Sequence, residues 1–270
     1  MDLNLTNVHV LVTGASGGIG LETAKLFLKH GARLTAHYNT NAVSLQPLLQ
    51  EYGSERITLV QADLKSEEHI PRLFSDTHPV QVAIINHGIW PEADVPLRDM
   101  TLMQWKSTMD TNLTSSFLVA REYLRNLDNA TEQEKENTAI VFIGSTAGKY
   151  GEAGHADYSA SKSAMMYGLT LTLKNEIVKI APKGRVNCVG PGWIKTPMAE
   201  NALKDPAVVY RALATTPLRK VGLPYDVATQ VVILSSSSVS GHVTGQVIMV
   251  EGGMEGRLLN VREDISGPGV

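Results

Sequence analysis

The 270-residue chain holds a single cysteine, Cys188. One thiol can form neither an internal disulfide nor a multi-thiolate metal site, and within the strand-like stretch 185–189 it reads as small buried core rather than as a nucleophile. No apolar run reaches the roughly eighteen residues that a membrane-crossing helix needs, so no membrane partner is expected. Lysine and arginine form no dense block and the net charge is -3, which leaves no footprint for nucleic acid. Residues 1–7 lack both a cationic and a long apolar region; a secretory signal is not expected, and the compartment reads as reducing and cytoplasmic. The histidines have no metal-ligand spacing, so no metal site is expected. What remains, with 43% hydrophobic and 19% charged residues, is the composition of an ordinary globular protein.

Short apolar, β-branched runs alternate with longer amphipathic stretches. The pattern predicts strands over 8–12, 33–38, 56–61, 80–85, 139–144, 185–189 and 246–250, and helices over 18–30, 43–52, 101–126, 156–180 and 226–235. Residues 196–216 read as irregular or helical, and the charged stretch 131–137 as a solvated connection. Strand and helix in alternation predict an α/β fold, a Rossmann-like doubly wound parallel sheet of about seven strands with helices on both faces. No linker, repeat or composition shift divides it, so residues 1–270 are expected to form one domain.

Residues 13–20, Thr-Gly-Ala-Ser-Gly-Gly-Ile-Gly, fall between the first strand and the first helix. Glycine there permits a tight turn, lets backbone approach a pyrophosphate and presents free N–H groups at the positive end of a helix. The spacing differs from the usual dinucleotide fingerprint, and the bland alternative is a turn that binds nothing. Four glycines in seven positions argue for the phosphate, because each carries an entropic penalty on folding. At the end of the second strand stand His37, Tyr38, Asn39, Thr40 and Asn41. With no acid to repel a 2′-phosphate and with Asn39, Thr40 and Asn41 as donors, NADP is favoured over NAD.

Tyr158 and Lys162 are four residues apart, on one face if the stretch is helical. A lysine cation beside a phenol favours the phenolate and is expected to lower its pKa, making a usable proton donor and acceptor. Taken alone the pair is a common chance match, most often a packed ring beside a solvated amine. Ser145, thirteen positions before the tyrosine at a strand end, supplies a hydroxyl where ligands bind in parallel sheets, although a turn serine is the plain alternative.

The glycine loop, Ser145 and the Tyr158/Lys162 pair together resemble the short-chain dehydrogenase/reductase family in its compact single-domain form, over nearly the whole chain. Asp63-Leu64 resembles the family's adenine-contacting pair, Asn86-His87-Gly88 its Asn-Ala-Gly turn, Asn112 its catalytic asparagine, and Pro191-Gly192 with Thr196 its nicotinamide-facing segment. Residues 246–253 are similar to its last strand. Three departures stand out: His87 in place of alanine, Ile85 in place of a frequent asparagine, and residues 254–270 as a C-terminal extension. The resemblance implies an NADP-dependent oxidoreductase that moves a hydride between nicotinamide and a ketone or secondary alcohol. Its catalytic set would be Asn112, Ser145, Tyr158 and Lys162, with Tyr158 as general acid/base, Lys162 tuning it, Ser145 polarising the substrate oxygen and Asn112 supporting a water path. Its cofactor set would be Gly14, Ser16, Gly17, Gly18, Ile19, Gly20, Tyr38, Asn39, Thr40, Asp63, Leu64, Asn86, Gly88, Tyr158, Lys162, Pro191, Gly192, Ile194 and Thr196. A homo-oligomer, tetramer or dimer, is implied as well. The alternatives are an NAD-dependent secondary-alcohol dehydrogenase and, from another class, a nucleotide-sensing regulatory protein without turnover. Trp90, His155, Trp193 and Met198 are candidates for the substrate cleft, and residues 257–270 for a cover over it or a subunit contact.

Overall fold

A computed structural model describes residues 2–75 and 78–261. Seven strands form one sheet: β1 (His9–Val12), β2 (Arg33–Tyr38), β3 (Ile57–Gln61), β4 (Val82–Ile85), β5 (Ala139–Ile143), β6 (Arg185–Pro191) and β7 (Val247–Val250). Their order is β3-β2-β1-β4-β5-β6-β7, and every neighbouring pair is parallel. The side chains explain why the sheet is covered twice. In β4, Val82 and Ile84 join one apolar cluster while Ala83 and Ile85 join the other, and in β5 Val141 and Ile143 oppose Ile140 and Phe142 in the same way. A strand apolar at consecutive positions must bury both faces. The helices Gly18–Lys29 and Pro224–Ser235 cover one face through Ala24, Phe27, Val227 and Val231; Ser115–Leu127 and the helix beginning at Ala156 cover the other through Val119, Tyr123 and Met166.

Several expected elements are adjusted by local chemistry. The long helix expected over 101–126 starts at Leu102 behind Thr101, whose side chain accepts from the Gln104 N–H, and it widens into a π turn at Asp110–Thr114. The helix expected over 156–180 has a second π turn at Ala164–Leu169. Such bulges mark functional positions in helices. Residues 131–137 contain one turn of helix, Glu132–Lys135, closed by a reciprocal capping box between Thr131 and Glu134. Between β3 and β4 lies an unexpected 3₁₀ segment, Glu67–Phe74, in which Pro71 lacks the N–H that an α-helix would need.

β1 has β2 on one side and β4 on the other, so the chain's winding reverses beside it. Crevices form at the carboxyl ends of strands at such a switch point. Among the described residues, no helix is long and apolar enough to cross a membrane.

Candidate active site

The crevice is a cavity of about 620 Å³ along the carboxyl ends of the strands. Its first half is built by the turn after β1. Gly14 has φ +62°, and a Cβ there would sit 3.1 Å from the His87 Cα. The turn is held from three sides: the Asn86 side-chain amide donates to the carbonyls of Thr13 (3.0 Å) and Gly14 (3.2 Å), Ala15 N–H donates to His37 O (2.8 Å), and Gly14 N–H donates to His37 Nδ1 (3.0 Å). Because Nδ1 accepts, His37 carries its proton on Nε2, which donates to Ala62 O (3.0 Å). Burial lowers its pKa, so the ring is neutral and acts as a brace.

The helix Gly18–Lys29 begins at Gly17 with no side-chain cap and no acid in its first turn. Its leading N–H groups and positive dipole end therefore face the cleft uncompensated, as an anion site requires. This donor set, with a turn that a Cβ would fill, fits the pyrophosphate of a dinucleotide. Gly14, Ser16, Gly17, Gly18, Ile19, Asn39, Asp63, Leu64, Asn86, Gly88, Pro191, Gly192, Ile194 and Thr196 all line the same cavity. Four expected site residues do not. Gly20 is buried under Gly14, where its role is packing; Tyr38 packs against the core; Thr40 is exposed outside the cavity; Asn112 is fully buried.

Asn112 nevertheless shapes the cleft. From the π turn its Oδ1 accepts from Ile89 N–H (2.8 Å) and its Nδ2 donates to Ile89 O (3.0 Å), a two-bond clamp on the strand-end segment that carries Gly88 and Trp90. His87, where the family pattern has alanine, spans from Thr13 Oγ1 (2.8 Å) to Ser115 Oγ (2.7 Å). Ser115 spends its own proton on Thr111 O (2.6 Å), so His87 Nε2–H donates to it. Burial holds the His87 pKa well below the usual value, with His37 and Lys162 adding to the effect.

The second half carries the reactive groups. Ser145 follows β5 as the N-cap of a short helix, its Oγ accepting from Ala147 N–H (3.1 Å), and its hydroxyl is near enough to Tyr158 to favour the phenolate. Tyr158 and Lys162 lie on the helix Ala156–Ser163; both are buried and both line the cavity. Lys162 Nζ donates to Ile143 O (2.9 Å) and lies 5.8 Å from the Tyr158 ring centre. The expectation that Lys162 lowers the phenol pKa is not met. Burial raises the Tyr158 pKa, and the opposing influences are the Ser145 hydroxyl and the Arg257 charge. Burial also pushes the Lys162 ammonium from 10.5 down to about 8. Both shifts have one cause, the loss of water around a charged form.

On the substrate side Trp90, Trp193 and Met198 line the cavity as expected. His155 does not: it is covered by Trp90, ring centres 3.9 Å apart, and donates from Nε2 to Asp94 (2.7 Å). Trp90 in turn meets Tyr158 edge-on at 4.7 Å. Lys65, Glu152 and Arg257 also line the cleft, and no local motif singles them out. Of the segment expected to cover the cleft, residues 257–261 are described and Arg257 reaches it; residues 262–270 lie outside the described residues. Cys188 is buried core, and burial pushes its thiol up to about 12.

A family model described as enoyl-(acyl carrier protein) reductase matches residues 14–255. The chain is 32% identical over 258 residues to a 3-oxoacyl-(acyl-carrier-protein) reductase of Synechocystis sp., covering 93% of this chain and 98% of that protein. It is 32% identical over 255 residues to the corresponding reductase of Vibrio cholerae, covering 93% and 99%. Among solved structures, a short-chain dehydrogenase/reductase of Brucella melitensis described as a glucose/ribitol dehydrogenase superposes with a TM-score of 0.80 at 31% identity, covering 94% of this chain and 99% of that one.

Proposed function

The chain belongs to the short-chain dehydrogenase/reductase family, and on that premise we propose that it is an NADP(H)-dependent oxidoreductase interconverting a ketone and a secondary alcohol. The observation that carries this is the shared cavity: the glycine-turn cradle, Ser145, Tyr158 and Lys162 line one crevice. Bound in the cradle, the nicotinamide cofactor supplies or takes the hydride. Ser145 holds the substrate oxygen by a hydrogen bond, and Tyr158 gives a proton to that oxygen or takes one from it, so charge does not accumulate there. The raised phenol pKa keeps Tyr158 protonated at neutral pH, which is the form that reduction needs. Lys162, anchored to the Ile143 carbonyl beside them, would hold cofactor hydroxyls.

NADP is preferred to NAD because Asn39 lines the cavity at the end of β2, where an acid would repel a 2′-phosphate. We read residues 1–270 as one domain and place it in the cytoplasm as a homo-oligomer. The test is Tyr158→Phe: ketone-dependent oxidation of NADPH is expected to fall at least about a hundredfold, within the range that general acid catalysis supplies, while the NADPH dissociation constant stays within about twofold. Retained turnover would overturn the assignment.

A further inference from the structure

From Gly252 to Arg257 the chain stays against the fold, and Arg257 lines the cleft. Leu218 N–H donates to Gly252 O (3.1 Å), Glu255 N–H to Thr215 O (3.1 Å), Thr215 Oγ1 to Gly256 O (2.9 Å) and Tyr150 OH to Met254 O (2.7 Å). This strap ties the 215–218 loop to the segment behind Ser145 and delivers Arg257 into the cleft. There Arg257 Nε donates to Gly151 O (2.9 Å), while one terminal nitrogen pairs with Glu152 at 2.8 Å and lies 3.4 Å from Thr146 Oγ1, next in sequence to Ser145. The Arg257 and Glu152 side chains are 17% and 27% exposed, so both retain surface toward the cavity they line.

The donor and acceptor inventory decides what this pair can read. Among the described residues, the other terminal nitrogen of Arg257 meets only the Met254 thioether, a weak acceptor, which leaves it hydrogen-bonding capacity. A carboxylate has about four acceptor positions, and Arg257 does not exhaust those of Glu152. The two charges cancel. An anionic substrate group would have to share the guanidinium with Glu152 against like-charge repulsion, and an alkyl chain would strip water from the pair without replacing its hydrogen bonds. A neutral group that both donates and accepts can use both partners. Trp90, edge-on to Tyr158, adds an apolar wall for the C–H face of such a molecule.

We propose that Glu152 and Arg257 form the substrate-selecting element of the cleft and read a hydroxyl pair, so that the substrate is a small polyhydroxylated ketone or alcohol with one hydroxyl carbon at Ser145 and Tyr158 and a neighbouring hydroxyl on the Glu152–Arg257 pair. The inference rests on the oxidoreductase reading above. It makes Arg257 a specificity residue brought in by the strap.

The test uses the full chain with NADP⁺ and three alcohols that differ in one group: cyclohexanol, cis-cyclohexane-1,2-diol and 2-hydroxycyclohexanecarboxylate. The wild type is expected to favour the diol over cyclohexanol by about tenfold or more in kcat/KM, the range of a hydrogen bond to a charged group. Glu152→Gln and Arg257→Leu should each pull that ratio toward one, Arg257→Lys should restore part of it, and none should move the NADPH dissociation constant more than twofold. Thermal melts identify any variant that fails to fold, and the conservative Glu152→Gln and Arg257→Lys changes then carry the comparison. Equal efficiency on diol and cyclohexanol, a ratio that neither substitution alters, or preference for the carboxylate overturns the proposal. Absence of turnover on all three with NADP⁺ and on a panel of simple ketones with NADPH instead overturns the oxidoreductase reading, and the proposal with it.

Discussion

Lys162→Met should stabilise the protein at neutral pH while abolishing its turnover. Lys162 is 4% exposed and its pKa falls from 10.5 to about 8 because burial penalises the ammonium. At about 1.4 kcal/mol per pKa unit, holding the charged form folded at pH 7 costs about 3 kcal/mol. Methionine fills similar space without charge, and the offset is the lost charge-assisted bond to Ile143 O, about 2 kcal/mol. The expected net gain is therefore about 1 kcal/mol at pH 7. Its pH dependence is diagnostic. Between the folded pKa near 8 and the unfolded value near 10.5 the unfolded chain binds more protons, so wild-type stability rises with pH in that window. The advantage of the methionine variant should accordingly shrink by about 1 kcal/mol from pH 7 to pH 9. Urea melts of both proteins without cofactor at the two pH values measure this. A variant less stable than wild type at pH 7, or a difference that does not change with pH, would refute the buried-cation argument.

Two further substitutions probe the frame of the site. In Gly20→Ala the new Cβ would stand 2.2 Å from Gly14 O, a backbone atom that cannot swing away, so the phosphate turn must shift. A loss of about 1–3 kcal/mol in chemical denaturation and at least tenfold weaker NADPH binding are expected; unchanged affinity would show that the turn does not hold the cofactor. Asn112→Leu keeps the volume but orphans both backbone groups of Ile89, which should cost about 2 kcal/mol or more and lower kcat through the displaced Gly88–Trp90 segment. Full stability in thermal melts would remove the clamp from the account.

The parts of the molecule legible in the sequence are those whose chemistry is contiguous. The glycine turn needs a strand, a tight turn and a helix start in succession, and all three are written within residues 9–29. Helical spacing likewise puts Tyr158 and Lys162 on one face without reference to anything distant. The π turns escape because a widened turn keeps the apolar period of the helix around it. Glu152 and Arg257 are 105 positions apart and meet only through the strap, so no window of sequence contains both. His37 hides for another reason: its exposed-looking position at a strand end becomes a brace only when Gly14 N–H lands on Nδ1.

The same distinction changes how the Tyr158/Lys162 pair works. Spacing predicts two charges that support each other, an ammonium drawing the phenol toward phenolate. Burial removes water from both, so the phenol is held protonated and the ammonium is driven toward neutrality, each shift opposing the charged form. The influences that favour phenolate come from elsewhere: the Ser145 hydroxyl after β5 and the Arg257 guanidinium on the strap. In the reducing direction the protonated phenol is the acid the reaction needs. In the oxidising direction Tyr158 must lose its proton, and Arg257 then supports the resulting charge. The strap residue that selects the substrate thus also eases the tyrosine's deprotonation, and for Arg257→Leu the alkaline pH at which alcohol oxidation becomes efficient should rise.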